Sequence, residues 1–239
     1  MKTSLKLMML TAAVIAGTAT IASANVVDLT FSGVATYPTE NYPSILNFYN
    51  GGTDSAGMSG PNFGIYFSPN AQGICLNTLA GDCSNTSKGG LGDPNSQQWG
   101  LFWLSDTDAY LDDPGGFTTG FSFDYTAINV PGSINVYSGL DGTGTLLASL
   151  ALPTTPSGPC PGYDAGFCPF YPIGVAFAGT AESIDFGGTA NQIVFDDVTF
   201  GSVTPGPPTT TPEPSSLLLL GTGIAGLAGM IRRKLARAL

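Results

Sequence analysis

Short apolar or alternating segments, separated by turn residues, fill the middle of the chain. One of them carries four aromatic residues of the same parity: Phe117, Phe121, Phe123 and Tyr125. A period of two residues is typical of a half-buried β-strand. No segment of this region has the pattern of a long amphipathic helix. The predicted strands are 26–35, 45–49, 63–67, 100–104, 117–126, 133–137, 145–152, 173–178, 183–186 and 192–200.

The spacing of these segments predicts the fold class. The sequence 141–144, Asp-Gly-Thr-Gly, separates two of them and favours a tight β-hairpin turn. About eight to ten short strands within residues 25–203 predict an all-β region, folded as a single antiparallel β-sandwich or jelly roll. A β-helix is less favoured, because the region shows no repeat of fixed period.

The last predicted strand changes its alternation halfway. Ile193 and Phe195 share one parity, whereas Val198 and Phe200 share the other. One extra residue in a strand moves every later side chain to the opposite face unless the backbone bulges. The sequence therefore predicts a β-bulge at the Asp-Asp pair between these residues.

The basic residues lie almost entirely at the two ends of the chain. The chain has 7 basic residues, 17 acidic residues and no histidine. The basic residues are Lys2, Lys6, Lys88, Arg232, Arg233, Lys234 and Arg237. Only Lys88 lies in the middle region, which holds every acidic residue except Glu213. Such a region repels phosphate backbones, which argues against nucleic-acid binding and favours cations or neutral glycans as partners.

The N-terminus has the three parts of a secretory signal peptide. Two lysines precede the apolar segment 7–15, and the small residues Ala-Ser-Ala follow at 22–24. We therefore expect signal peptidase to cleave between Ala24 and Asn25 and to remove residues 1–24. The alternative, a transmembrane anchor, is disfavoured because the apolar segment is too short.

The four cysteines agree with export. Cys75 lies near Cys83, and Cys160 lies near Cys168. In an oxidising compartment two local disulfides are the simplest pairing, although four cysteines allow three connectivities. A zinc site is the alternative, but it would need four thiolates at a spacing looser than that of zinc knuckles.

The C-terminus contains a linker, an apolar segment and a basic end. Residues 204–211 are rich in proline and threonine and cannot form a core. Residues 215–231 carry no charge and are just long enough for a transmembrane helix. Arginine and lysine follow at 232–234, which would keep that end in the cytoplasm and place residues 25–203, the ectodomain, outside it.

The tail 212–239 resembles the PEP-CTERM sorting signal. The resemblance rests on Pro212, Glu213 and Pro214, on the apolar segment that follows, and on the basic end. It implies that these three residues are recognised by an exosortase in the inner membrane, which removes the tail. It also implies a bacterium that makes extracellular polysaccharide. The expected destination is the cell surface or the extracellular matrix, after a transient stage in the inner membrane.

The last strand, Phe-Asp-Asp-Val-Thr-Phe at 195–200, resembles the last strand of galactose-binding-like and carbohydrate-binding jelly rolls. That resemblance implies a structural Ca²⁺ held by Asp196 or Asp197 together with an early loop. The loop 51–54, which ends at Asp54, would supply the other oxygen ligands. The alternative is a solvated acidic pair without a metal.

The lack of histidine excludes Ser-His-Asp and Cys-His catalysis and histidine-ligated metals. Glycoside hydrolysis by two carboxylates remains possible in principle. Carboxylates and aromatic residues cluster in one part of the sequence: Asp106, Asp108, Asp112, Asp113, Trp99, Trp103 and Tyr110. Such a mixture suits a sugar site, because a flat ring stacks on a sugar ring, but such residues more often form a core strand with an acidic loop.

Two hypotheses of function follow from the sequence. The preferred one is a non-catalytic surface or matrix protein, sorted by an exosortase, whose β-sandwich binds glycan, calcium or another protein. The alternative is a secreted carbohydrate-active enzyme on a jelly-roll scaffold.

Overall fold

The computed structural model describes residues 26–34, 42–77, 85–89, 99–127, 129–156 and 169–206. All of them belong to one compact unit, Ala24–Pro208. The predicted signal peptide, the sorting motif Pro212-Glu213-Pro214 and the predicted helix 215–231 lie outside the described residues. No helix in the described part of the chain is long and apolar enough to span a membrane.

The described residues form twelve β-strands and no helix. The strands are β1 (Val27–Leu29), β2 (Tyr66–Phe67), β3 (Gln72–Asn77), β4 (Asn85–Gly89), β5 (Trp99–Phe102), β6 (Asp108–Phe117), β7 (Gly120–Thr126), β8 (Gly132–Tyr137), β9 (Leu146–Leu152), β10 (Tyr171–Ala176), β11 (Ala181–Gly188) and β12 (Val194–Phe200).

The strands form two sheets. The seven-stranded sheet has the order β10-β7-β12-β5-β3-β4, with β1 also paired to β12. The five-stranded sheet has the order β2-β6-β11-β8-β9. Every pair is antiparallel except β3 with β4. The predicted all-β sandwich is therefore confirmed, with one parallel pair at a sheet edge.

Aromatic side chains join the two sheets in the core. Phe186 of β11 packs against Phe195 of β12, with ring centroids 4.9 Å apart, and against Phe121 of β7 at 6.1 Å. All three side chains are fully buried. Burial of one such side chain contributes roughly 1.5–3 kcal/mol, so this contact is a main source of the sandwich's stability.

The predicted bulge in β12 is confirmed. Asp196 lies opposite Asp124 of β7, whereas Thr199 lies opposite Ser122. Two residues of β12 therefore occupy the length of one residue of β7, and Asp197 has a φ of 45°. The apolar side chains on both sides of the bulge consequently reach the same core, although their parity differs.

The predicted strand 45–49 is wrong. Ile45, Phe48 and Tyr49 are buried, but the amide of Phe48 bonds the carbonyl of Ile45, and the amides of Asn50 and Gly52 bond the carbonyl of Asn47. These are turn contacts. The apolar pattern indicates burial, but over five residues a buried turn and a buried strand can have the same apolar pattern.

Strand β6 was not expected, because its sequence contains Asp-Asp-Pro-Gly-Gly. The strand accommodates these residues in a wide bulge: Asp112 lies opposite Ser183, and Phe117 lies opposite Ala181. The intervening residues 113–116 therefore leave the ladder while both ends remain paired. Asp113 marks the start of this bulge, which forms the wall of a groove described below.

The chain leaves the sandwich against the outer face of the seven-stranded sheet. The amide of Gly201 bonds the carbonyl of Gly120, and the amide of Gly206 bonds Oγ1 of Thr199, both at 3.0 Å. A Cβ atom at Gly174 of β10 would lie within 2.3 Å of the carbonyl oxygen of Val203. The exit segment 201–206 is thus packed on the sheet.

Candidate functional site

Strand β6 alternates between the core and the outer face of the five-stranded sheet. Ala109 and Leu111 are fully buried in the core. Asp108, Tyr110 and Asp112 have the opposite parity and therefore project from the outer face. Carboxylates and an aromatic ring are thus placed on one side of a regular strand.

The neighbouring strands add further polar and aromatic side chains to this face. Asp185 of β11 lies opposite both Tyr110 and Asn135 of β8, while Ser183 lies opposite Tyr137. Tyr66 of β2 pairs with Asp112 on the other flank of β6. Six partly exposed residues define what we call the tyrosine–aspartate face: Tyr66, Asp108, Tyr110, Asn135, Tyr137 and Asp185.

The turn between β8 and β9 folds onto one end of this face. The amide of Asp141 donates to Oδ1 of Asp112 at 2.8 Å, and the amide of Gly142 donates to Oγ of Ser183 at 3.0 Å. The Ser183 hydroxyl in turn donates to the carbonyl of Gly139 at 2.5 Å. The predicted Asp-Gly-Thr-Gly hairpin turn is confirmed, and it is held by residues of two other strands.

Gly142 brings the turn into contact with Tyr110. Its φ is 66°, and a Cβ atom there would lie 2.5 Å from Cε1 of Tyr110. The turn thus covers Asp112 and Ser183, which are only 2% and 0% exposed although they lie on the outer face of the sheet. Only glycine combines this conformation with so close an approach.

Burial raises the pKa values of several groups on the face. Burial raises the pKa of Asp112 to about 6; the hydrogen bond from the Asp141 amide opposes the shift, and the Asp141 charge adds to it. The pKa of Asp185 is raised by burial, partly offset by the Asn135 side chain. The pKa of the Tyr110 hydroxyl is raised by burial and then by the carboxylates of Asp185 and Asp108. The face is therefore a partly buried surface that carries carboxylates.

The predicted acidic and aromatic cluster is only partly assembled. Asp108, Tyr110 and Asp112 come together as described. Trp103 does not join them: its side chain is 1% exposed, and its ring stacks on Phe195 in the core at 6.1 Å. Trp99 packs against the same core.

The remaining two acids of that cluster lie elsewhere. Asp106 is exposed in the turn before β6 and has a φ of 68°. Asp113 starts the β6 bulge and lines a groove beside it. Sequence reasoning missed Tyr66, Asn135, Tyr137 and Asp185, although the alternation in β8 and β11 could have shown their shared face.

The three acids predicted to bind calcium occupy different structural settings. Oδ1 of Asp54 accepts the amides of Ala56 and Met58, both at 2.9 Å, and so closes its own turn. Asp196 and Asp197 are fully buried at the β12 bulge, where Oδ1 of Asp196 accepts the Asp197 amide. Within the described ranges no three acidic or cysteine side chains form a group that could hold a metal ion. Calcium binding by Asp54, Asp196 and Asp197 therefore stays a prediction.

Of the four cysteines only Cys75 lies within the described residues. It is buried on β3, and its sulfur is disulfide-bonded. Cys83, Cys160 and Cys168 lie outside the described ranges, so the predicted pairing stays a prediction.

A groove lies beside the β6 bulge. This groove has a volume of about 310 Å³. We call it the Phe63 groove; its lining includes Phe63, Ile65, Asp113, Gly115, Gly116 and Phe117. Phe63 is 45% exposed, and no motif in the sequence indicated it.

Comparison with known proteins identifies the tail but not the ectodomain. No curated protein matches this chain. The solved structure of CsCBM6-3 from Clostridium stercorarium in complex with cellobiose is similar over 60% of this chain and 86% of that one, with 16% identity and a TM-score of 0.32. A likeness of this size carries no information about a ligand. Residues 210–234 match the PEP-CTERM protein-sorting motif. The chain therefore carries the sorting signal of an exported protein that passes through the membrane before exosortase processing.

Proposed function

We propose that this exosortase-sorted protein acts outside the cell as a non-catalytic β-sandwich that binds a neutral glycan through the tyrosine–aspartate face. The observation that carries the proposal is the grouping of Tyr66, Tyr110 and Tyr137 with carboxylate and amide groups on one sheet face. Tyrosine offers an apolar ring to a sugar and a hydroxyl to its polar edge. Carboxylates and amides accept hydrogen bonds from sugar hydroxyls.

The charge of the ectodomain favours a neutral ligand over an acidic one. Lys88 is the only basic residue between the two ends of the chain, whereas Asp108 and Asp185 lie on the face itself. An acidic polysaccharide would meet carboxylates without a compensating cation, which is unfavourable in a partly dehydrated site. A neutral extracellular polysaccharide is therefore the best match.

Binding of neutral polysaccharides to the purified ectodomain tests this function. We expect Tyr110→Ala and Tyr137→Ala each to weaken binding by about tenfold, because a lost aromatic contact of this kind is worth roughly 1–1.5 kcal/mol. Tyr137→Phe should retain most of the affinity, since the ring remains. Phe63→Ala is the matched control, because it removes an exposed aromatic ring outside the face. Equal affinities of the tyrosine variants and the wild type would exclude this face as the site.

The enzyme alternative has one observation in its favour. Asp112 has a pKa of about 6, which suits a general acid near neutral pH. Its carboxylate, however, is covered by the 138–145 turn and accepts the Asp141 amide. We therefore expect no release of reducing sugar from polysaccharides that bind. Release that disappears in Asp112→Asn would instead establish a glycoside hydrolase.

Calcium binding is a separate proposal about the β12 bulge. Ca²⁺ takes carboxylate and backbone carbonyl oxygens, and Asp196 and Asp197 are adjacent and buried there. We expect Ca²⁺ to raise the melting temperature of the wild type and EDTA to reverse the effect. If Asp196→Asn and Asp197→Asn both keep the full Ca²⁺ response, calcium does not bind at this bulge.

A further inference from the structure

The Phe63 groove is separate from the tyrosine–aspartate face in its chemistry. It combines an exposed aromatic ring, one carboxylate and three glycines with an apolar floor that includes Ile65 and Phe117. We propose that this groove binds a single sugar unit that carries a free ammonium group, that is, an amino sugar. This site goes beyond the proposed function and stands independently of it.

Phe63 is held in place as a flat platform. Its ring stacks on Tyr49, with centroids 6.2 Å apart and planes 14° apart. Tyr49 is itself buried, and its hydroxyl accepts the amide of Phe31 at 2.7 Å. A platform fixed in this way loses little conformational freedom on binding, and the negative face of its ring attracts a cation.

Asp113 supplies the charge of the groove. Its Oδ1 accepts the amide of Gly115 at 2.9 Å, which orients the carboxylate. Burial raises the pKa of Asp113; the hydrogen bonds from the Gly115 and Gly116 amides oppose the shift, and the charge of Glu182 adds to it. The described side chains include no lysine or arginine that could compensate this charge. An ammonium group on the ligand would do so, whereas a neutral hydroxyl would not.

The size of the groove limits the ligand to one unit. Ligand pockets typically begin at about 300 Å³, so a groove of about 310 Å³ is at the lower limit. Gly116 has a φ of 70°, and a Cβ atom there would lie 2.5 Å from Cγ2 of Thr180. Larger residues are thus excluded from this wall, and the ligand meets bare backbone beside the carboxylate.

A titration with monosaccharides followed by NMR tests the proposal. Glucosamine should bind the wild-type ectodomain about tenfold more tightly than glucose or N-acetylglucosamine, because only glucosamine carries the ammonium charge. Asp113→Asn should remove this preference. Phe63→Leu keeps an apolar side chain but no ring, and it should weaken glucosamine binding about tenfold with an unchanged melting temperature.

Variants of the tyrosine–aspartate face and of the groove serve as controls for each other. Tyr110→Ala should leave glucosamine binding unchanged, and Phe63→Leu should leave polysaccharide binding unchanged. Failure of the polysaccharide experiment would therefore not affect this one. Equal binding of glucose and glucosamine would overturn the proposal, and so would binding of Nα-acetyl-lysine amide without binding of glucosamine, since that result identifies a peptide lysine as the occupant.

Discussion

The carboxylate of Asp112 is buried, so its ionised form destabilises the folded protein. Its side chain is 2% exposed beneath the 138–145 turn, and burial raises its pKa to about 6. Because the folded state binds this proton more tightly than the unfolded chain, the stability due to Asp112 is greatest at low pH. It falls as the pH rises from about 4 to about 6.

Replacement of this carboxyl by an amide should remove that pH dependence. Asp112→Asn keeps an oxygen that can accept the Asp141 amide, but it carries no charge to desolvate. Because a rise in the pKa from about 4 to about 6 corresponds to about 3 kcal/mol, we expect the variant to be more stable than the wild type at pH 7 by up to that amount. The two proteins should converge near pH 4. Urea unfolding across this pH range is the measurement, with Asp106→Asn as an exposed control. A variant that is less stable at pH 7 would show that the charge itself holds the turn.

Individual core residues were predictable where alternation was regular. Phe121 and Phe123 lie in the core as their parity required, and the change of parity in β12 located the bulge. Trp103 was ambiguous because it follows the last residue of β5, where no alternation continues. Only its contact with Phe195, 92 positions later in the sequence, decides that it belongs to the core.

At the scale of elements, the sequence predicted the 138–145 turn but not its position on the sheet. Local residues fix the turn itself: the amide of Gly139 bonds the carbonyl of Thr143. Its contacts with Asp112 and Ser183 span 29 and 41 residues. Such contacts depend on the register of three strands, which a local pattern does not contain. Strand β6 was missed for a related reason, since its turn-like residues lie in a bulge.

Ser183 should be an important anchor of this turn. Its hydroxyl accepts the Gly142 amide and donates to the Gly139 carbonyl, and its side chain is fully buried. Ser183→Ala leaves both backbone groups without this partner, so we expect a loss of about 1–3 kcal/mol in the free energy of unfolding.

Hydrogen exchange distinguishes a local effect from a global one. In Ser183→Ala the Gly142 amide should exchange faster even under conditions where the core amides remain protected. Ser149→Ala, an exposed serine of β9, is the matched control and should be within about 0.5 kcal/mol of the wild type. Unchanged protection of Gly142 would mean that the turn is held by Asp112 and by its own hydrogen bonds alone.

At the scale of the whole molecule, folding and sorting are assigned to different parts of the chain. The compact unit Ala24–Pro208 ends just before the matched sorting motif at 210–234. The exit segment 201–206 is packed on the sheet, so the folded unit extends to within a few residues of the motif. Almost all basic residues lie outside this unit, which leaves an acidic body with two positively charged ends.

This separation predicts that sorting fails without loss of folding when the motif is changed. Glu213 is the only acidic residue of the tail and lies between two prolines. We expect Glu213→Ala to accumulate as an unprocessed, membrane-associated form in the native host. The ectodomain of this form should keep the melting temperature and the glycan affinity of the wild type.

The matched control is Glu182→Ala, which removes one acidic residue from the ectodomain and should be sorted normally. Membrane fractionation with an antibody against the ectodomain separates the precursor from the processed protein by mass and location. Normal processing of Glu213→Ala would show that the exosortase recognises the apolar segment 215–231 and the basic end without this carboxylate. Loss of the folded ectodomain in the same variant would instead contradict the division of the chain into a sorting tail and an independently folded β-sandwich.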